Sequence, residues 1–269
     1  MKFSAKLLST CLSIFLATFA AAQPPSPPAQ TSDPTATTLL SKSLAALNGN
    51  ILVSDVTLSG TARRIVGSDD ESGTGVFKAI ASGAGRMDLS FSAGPRSEIQ
   101  NLTADTPAGS WSGPDAVSHA IAYHNLLTDP AWFFPAFAIA RRLSNSSYVA
   151  TYVGHETHNG QAVEHVSALQ VISTRSASGA LLLKHLSQVD FFLDSTTLLP
   201  SAISFNIHAD NNALLDIPVE VRFSDYRPVS GAQVPFRVQK LLNNGLVLDF
   251  QADSVTLNSG MSPSQFTVQ

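Results

Sequence analysis

The chain has 269 residues, 44% hydrophobic and 13% charged, with a formal net charge of −4. That length and low charge suit a sizeable buried core, and the acidic balance excludes nucleic acid as an expected partner. The one cysteine is Cys11, so the chain beyond it has no disulfide, no thiolate nucleophile and no Cys-ligated metal.

Lys2 and Lys6 precede an apolar run from Leu7 to Phe19 that closes on Ala20-Ala21-Ala22. This pattern predicts a cleavable signal peptide over residues 1–22, cut after Ala22, and a periplasmic or secreted protein. Its removal takes away two lysines and no acid, leaving 247 residues with 14 basic against 20 acidic groups, a formal charge of −6. A lipid anchor on Cys11 is disfavoured, because Thr10 precedes it and most of the apolar run follows it. No uninterrupted apolar stretch of membrane-spanning length comes after the signal. Residues 23–33, with Pro24, Pro25, Pro27 and Pro28, read as an extended linker. A single domain is expected over 34–269.

Asp33-Pro34 supplies an N-cap and a proline at the first helical position, Leu40, Leu44 and Leu47 recur at helical spacing, and Asn48-Gly49 supplies the stop, which predicts a helix over about 34–48. The period then changes to two. Val56 and Leu58, then Met87, Leu89 and Phe91, alternate with polar residues, and Gly83-Ala84-Gly85 and Gly94-Pro95 read as turns, giving about four strands between residues 51 and 102. Pro114 to Leu143 breaks the alternation: Pro114-Asp115 reads as the start of one helix carrying Val117, Ile121 and His124, and Asp129-Pro130 as the start of a second. In that second segment Ala131 to Ala140 is apolar on nearly every side, so protein or ligand must cover it.

Strands resume at Tyr148, with Asn159-Gly160 as a tight hairpin turn between Tyr148 to His155 and Gln161 to Ser173. Three more strands follow through Val189 to Leu193, Leu199 to Ile207 and Ile217 to Phe223. The last strand has Leu246, Leu248, Phe250 and Ala252 on even positions but Val255 and Leu257 on odd ones, which predicts a β-bulge near Asp253. Helix, about five strands, two helices, about six strands, without strand–helix alternation, predict an α+β, mainly β fold: one large curved antiparallel sheet of about 11 strands. Such a sheet tends to curl, and its apolar face needs the helices as cover.

Motifs for catalysis are not found. His155-Glu156-Thr157-His158 lacks the spacing that brings two imidazoles a helical turn apart to one ion; with His165 on the partner strand a three-histidine surface site is conceivable, but solvent-exposed turn residues are the expected reading. No Gly-x-Ser-x-Gly elbow is present, and Asp69-Asp70-Glu71 sits in a Gly/Ser-rich segment that reads as a solvated hairpin loop. No catalytic residue, no metal and no cofactor is expected.

The N-terminal helix, the turn phrase Gly154-His155-Glu156-Thr157-His158-Asn159-Gly160, the phrase Asp194-Ser195-Thr196-Thr197-Leu198-Leu199-Pro200, and a tail running Phe223 to Pro235, then a strand ending at Asn258, then Phe266, occur in one order. Over about residues 34–268 the chain thereby resembles the periplasmic lipoprotein carriers and outer-membrane receptors of the LolA/LolB type. The resemblance implies an eleven-stranded open half-barrel with helices lying in its mouth as a lid, and a hydrophobic cavity that shelters acyl chains. Trp132, Phe133, Phe134 and Phe137, with Trp111 and Ile121, are the candidate cavity or lid residues. Arg63 and Arg64 fall late in the first strand, where a lid contact would lie, although adjacent strand residues point to opposite faces. The expected function is non-catalytic binding of lipid or another hydrophobic ligand. The alternative is an envelope docking or accessory protein whose sheet is fully packed; cavity volume separates the two.

Overall fold

The computed structural model describes residues 30–103, 106–171 and 176–268. The expected signal peptide and most of the Pro-rich linker lie outside the described residues. The first helix, α1 (Pro34–Asn48), has the expected bounds for the expected reasons: Asp33 Oδ1 accepts from the Thr35 N–H at 2.7 Å, and Gly49 ends it with φ 56°. Its apolar face buries Ala36, Leu40 and Leu47.

Four strands follow it, β1 (Asp55–Val66), β2 (Asp69–Ile80), β3 (Ala84–Phe91) and β4 (Gly94–Asn101), as the alternation predicts. Next come β5 (Ala108–Ser112), β6 (Ser118–Ala120), a 3₁₀ turn over Tyr123–Leu127, and α2 (Pro135–Ser144). Then β7 (Tyr148–His158) and β8 (Gln161–Gln170) form the Asn159-Gly160 hairpin, followed by α3 (Ala177–Ser187) and β9 (Val189–Asp194). The chain closes with β10 (Pro200–Ala209), β11 (Asn212–Val229), β12 (Ala232–Leu242), β13 (Gly245–Leu257) and a 3₁₀ turn at Pro263–Phe266.

All thirteen strands form one sheet in the order β6-β5-β4-β3-β2-β1-β13-β12-β11-β10-β9-β8-β7. The first and last strands therefore pair in its interior, and β6 and β7 are its two edge strands. It is an open, wholly antiparallel sheet, two strands larger than expected. The β7 edge is interrupted where Val153 bulges out between Tyr152 and Gly154, a device that discourages edge-to-edge pairing. Asp33 and Ser32 occupy that same edge: the Asp33 N–H donates to Ala150 O at 2.8 Å and the Ala150 N–H to Ser32 Oγ at 3.0 Å.

The bulge in β13 is where the change of parity places it. Ser59 pairs with Ser254 and Gly60 with Ala252, so Asp253 has no partner. Leu248, Phe250 and Ala252 are buried before it, and Val255 and Leu257 pack against the same core after it. One cluster holds α1, α2 and one face of most of the sheet together.

Three expectations are corrected. The helix expected after Pro114-Asp115 is instead the β5–β6 hairpin and the 3₁₀ turn: Asp115 Oδ1 accepts from the Val117 N–H, Ala116 takes φ 57°, and Trp111 pairs with His119. The local Asp–backbone bond competes with helix initiation. The second helix begins at Pro135 rather than at Asp129-Pro130, because Pro135 occupies the first turn of α2, where a missing N–H costs nothing. Residues 130–134 form a turn, closed by the Phe134 N–H on Ala131 O at 2.8 Å. Finally α3, between β8 and β9, occupies sequence for which no helix is expected.

Candidate functional site

The apolar insert lies inside the sheet. Phe77 on β2 is its centre of contact, stacking on Phe250 at 4.2 Å and meeting Phe133 and Trp132 edge-on at 5.2 and 5.9 Å. Phe134 and Phe137 form a second edge-on pair at 4.8 Å. All four insert aromatics are buried in the central cluster. Such pairs add to the large area each ring removes from water. Over this part of the sheet, the aromatic residues and α1 fill the hollow.

Beside them remains a cavity of about 220 Å³, bounded by β4, β5, the 3₁₀ turn at Tyr123–Leu127, β10 and β12. Its apolar wall is Trp111, Ile121, Trp132, Phe205 and Ile207. Of the six candidate cavity residues, the structure thus places Trp111, Ile121 and Trp132 on this wall, and Phe133, Phe134 and Phe137 in the packed core. Trp111, 45% exposed and stacked on His119, stands at its rim.

The cavity also has a polar side. Glu98 Oε1 accepts from Gln100 Nε2 at 2.9 Å, while the Lys240 ammonium sits 4.4 Å from the centre of the Trp132 ring. Gln100 Oε1 and His208 Nδ1 are buried and have no hydrogen-bond partner among the described residues. Asn125 fastens the 3₁₀ turn to β10 by a double bond to the His208 backbone, 2.8 Å at the N–H and 2.9 Å at the carbonyl. Burial first, and then the neighbouring His185 and His124, lower the His208 pKa against the opposing pull of Asp216.

Two larger hollows lie elsewhere. One of about 580 Å³ is an open groove on the outer side of α1, bordered by Thr37, Thr38, Ser41 and Lys42. Another, of about 340 Å³, lies between residues 30–32, α1 and the start of β7. Neither touches the insert aromatics at Trp132, Phe133, Phe134 or Phe137.

Arg63 and Arg64 are both engaged by the neighbouring strand. Arg63 forms a two-pronged pair with Asp70 at 2.8 and 2.6 Å, and Arg64 meets Glu71 at 3.2 Å, which Arg96 of β4 also reaches at 2.7 Å. These pairs close the far end of the β1–β2 hairpin. The Asp69-Asp70-Glu71 run therefore lies at the start of β2 and is partly neutralised rather than freely solvated.

His155, His158 and His165 do not converge on one point. His155 pairs with Glu164 at 3.0 Å, His158 with Glu220 at 3.1 Å while stacking on Phe192, and His165 with Asp190 at 3.1 Å. Hydrogen bonds from His165, Ser167 and Gln188 outweigh burial and hold the Asp190 carboxyl below its ordinary value. The imidazoles that do converge are His185 and His208, brought together with Asp216 by α3, which the sequence pattern did not reveal.

The open antiparallel sheet with helices against one face is a fold shared with solved structures that have little sequence in common with it. A domain described as an outer membrane lipoprotein-sorting protein, from Vibrio parahaemolyticus, superposes with TM-score 0.52 at 10% identity, covering 87% of this chain and 96% of that one. A DUF1329 family protein from Desulfovibrio piger gives TM-score 0.50 at 11% identity over 87% and 98%. A LolA superfamily protein from Nitrosomonas europaea gives 0.49 at 10% identity over 86% and 97%. Identities this low concern the fold. No family model matches the sequence, and no curated protein matches it. Among the described residues no helix is long and apolar enough to cross a membrane.

Proposed function

We propose that the protein is an exported, non-catalytic binding protein that takes one amphipathic hydrophobic ligand, an acyl chain with a polar head, into the cavity beside the insert. The observation that carries this reading is the lining of that cavity. Trp111, Ile121, Phe205 and Ile207 offer apolar surface, next to Lys240, which makes no ion pair among the described residues, and the unpartnered Gln100 Oε1. A buried polar atom without a partner costs about 1–3 kcal/mol, which a ligand's polar group would offset. At about 220 Å³ the cavity is smaller than the roughly 300–1,000 Å³ of drug-sized sites, so it suits part of one chain and its head. Export rests on the Lys2-to-Ala22 pattern, and lipid carriage agrees with the fold.

The test is uptake of a fluorescent fatty acid by the purified protein, with native mass spectrometry for co-purified lipid. Saturable uptake of one probe per chain supports the reading. A second reading, docking to an envelope partner through a packed sheet, has its own observation in the filled interior at Phe77, Phe133 and Phe250. It becomes the better one if the protein is bare and takes up no probe.

A further inference from the structure

Asp216 lies directly across from His208 in the β10–β11 pairing, and the last turn of α3 brings His185 over both. The His185 Nε2 stands 2.8 Å from Asp216 Oδ1, the His208 Nε2 stands 3.1 Å from the same oxygen, and the two nitrogens are 3.4 Å apart. The three side chains thus converge, each offering one possible ligand atom within reach of a shared centre.

We propose that His185, His208 and Asp216 form a binding site for a divalent transition metal of the zinc type, a site independent of the ligand reading above. Two imidazole nitrogens and one carboxylate oxygen are ordinary zinc ligands. Atoms bound to one zinc at about 2.0–2.2 Å stand roughly 3.3–3.6 Å apart in a tetrahedron; the two nitrogens at 3.4 Å already fit, and the carboxylate oxygen at 2.8 and 3.1 Å would move outward by a few tenths of an ångström. The donors are also supported from outside. Asn206 Nδ2 donates to the other carboxylate oxygen, Asp216 Oδ2, at 3.1 Å, and Asn125 clamps the backbone of His208 on both sides. Such outer contacts orient ligands. His124 does not compete, because its Nε2 is 3.2 Å from Ala209 O.

Access and anchoring are divided among the three residues. The His208 side chain is fully buried, whereas those of His185 and Asp216 are 39% and 40% exposed, so an ion can enter from solvent and exchange a fourth ligand there. A bound ion would tie α3, which has few buried residues of its own (Leu186 and Ser187), to the β10–β11 hairpin. It would also fix His208, which lines the amphipathic cavity.

The experiment titrates the purified protein, without an affinity tag, with Zn²⁺ by calorimetry and with Co²⁺ by visible absorption. One ion per chain, a tetrahedral cobalt spectrum and a melting temperature that rises with metal are expected, since a ligand selective for the folded state stabilises it. H185A and D216N change partly exposed groups, so both should keep the circular dichroism of the parent, and each should abolish the cobalt band. N206A should weaken zinc by about 10–100-fold. Absence of stoichiometric binding overturns the proposal. So does binding that H185A and D216N leave unchanged, which would move the metal to histidines elsewhere.

Discussion

Arg142 on α2 and Asp129, thirteen residues apart, form a buried ion pair of 2.8 Å beneath the helices, with side chains 1% and 5% exposed. The same Nη1 donates to Ala138 O at 2.8 Å, and the guanidinium lies 5.3 Å from the ring centres of both Tyr148 and Phe191. Asp129 Oδ1 in turn accepts from the Ala131 N–H at 3.1 Å. The pair thus fixes the turn that carries the insert aromatics to the helix that follows. D129A leaves a buried cation unpaired and should cost about 3–5 kcal/mol, measured by urea unfolding. Combining it with R142M should recover most of that loss, because the penalty comes from the stranded charge. A double variant no more stable than D129A would show that the pair itself supplies the stability.

Asp55 ties the C-terminal tail to β1. Its carboxylate accepts from the Ser259 N–H at 2.8 Å, Ser259 Oγ at 2.7 Å, the Gly260 N–H at 3.1 Å and Ser54 Oγ at 3.1 Å. Burial pushes its pKa upward, but the hydrogen bonds from Ser259, Ser54 and Met261 prevail and hold it below 3.8. A lowered folded pKa means that the contribution is fully present above about 3.8 and is lost as pH falls through the folded value. D55N should cost about 2 kcal/mol at pH 7. The gap between parent and variant should narrow below pH 4, which chemical unfolding across pH 3–7 checks.

Gly85 shows how closely the insert approaches the sheet. A Cβ on it would stand 2.1 Å from Pro130 O, a backbone atom that cannot swing aside. G85A should therefore destabilise by roughly 1–3 kcal/mol or more. G67A, where a Cβ meets nothing within 4 Å but φ is 62°, should cost about 1 kcal/mol, for conformation alone. Equal losses in thermal unfolding would contradict the close approach.

How much of this was legible depended on whether the deciding interaction was local. The α1 bounds were written in Asp33, Pro34 and Gly49, and the β13 bulge in the parity change around Asp253, because caps and pleats act on neighbouring residues. The Pro114 segment misled because Asp115 can cap a helix or close an Asx turn, and the pairing of Trp111 with His119 decided between them. In α3, Leu181, Leu182 and Leu183 are consecutive, so no helical period shows, and Leu181 is exposed. The site was legible by halves. The apolar run announced that Trp132 and Phe134 need cover, but which rings face a cavity depends on Phe77 and Phe250, far along the chain. The His185–His208–Asp216 group joins a helix end to two strands and leaves no sequence spacing to read.

Phe134 and Ile121 separate core from cavity. Phe134 is almost fully buried in the central cluster, so F134D should unfold the protein and lose probe binding together. Ile121 is half-buried on the cavity wall. I121E should leave the melting temperature within a few degrees of the parent while lowering affinity for the fatty acid about tenfold or more, as roughly 1.4 kcal/mol corresponds to tenfold.

The most direct measurement is equilibrium titration of a fluorescent fatty acid into the parent, I121E and L52E, the last changing a residue that is 85% exposed and off the cavity wall. Saturation at one probe per chain for the parent and L52E, with loss in I121E, is the expected result. No saturable uptake by the folded parent, or equal uptake by all three, would contradict ligand binding in the cavity beneath Trp111 and Ile121.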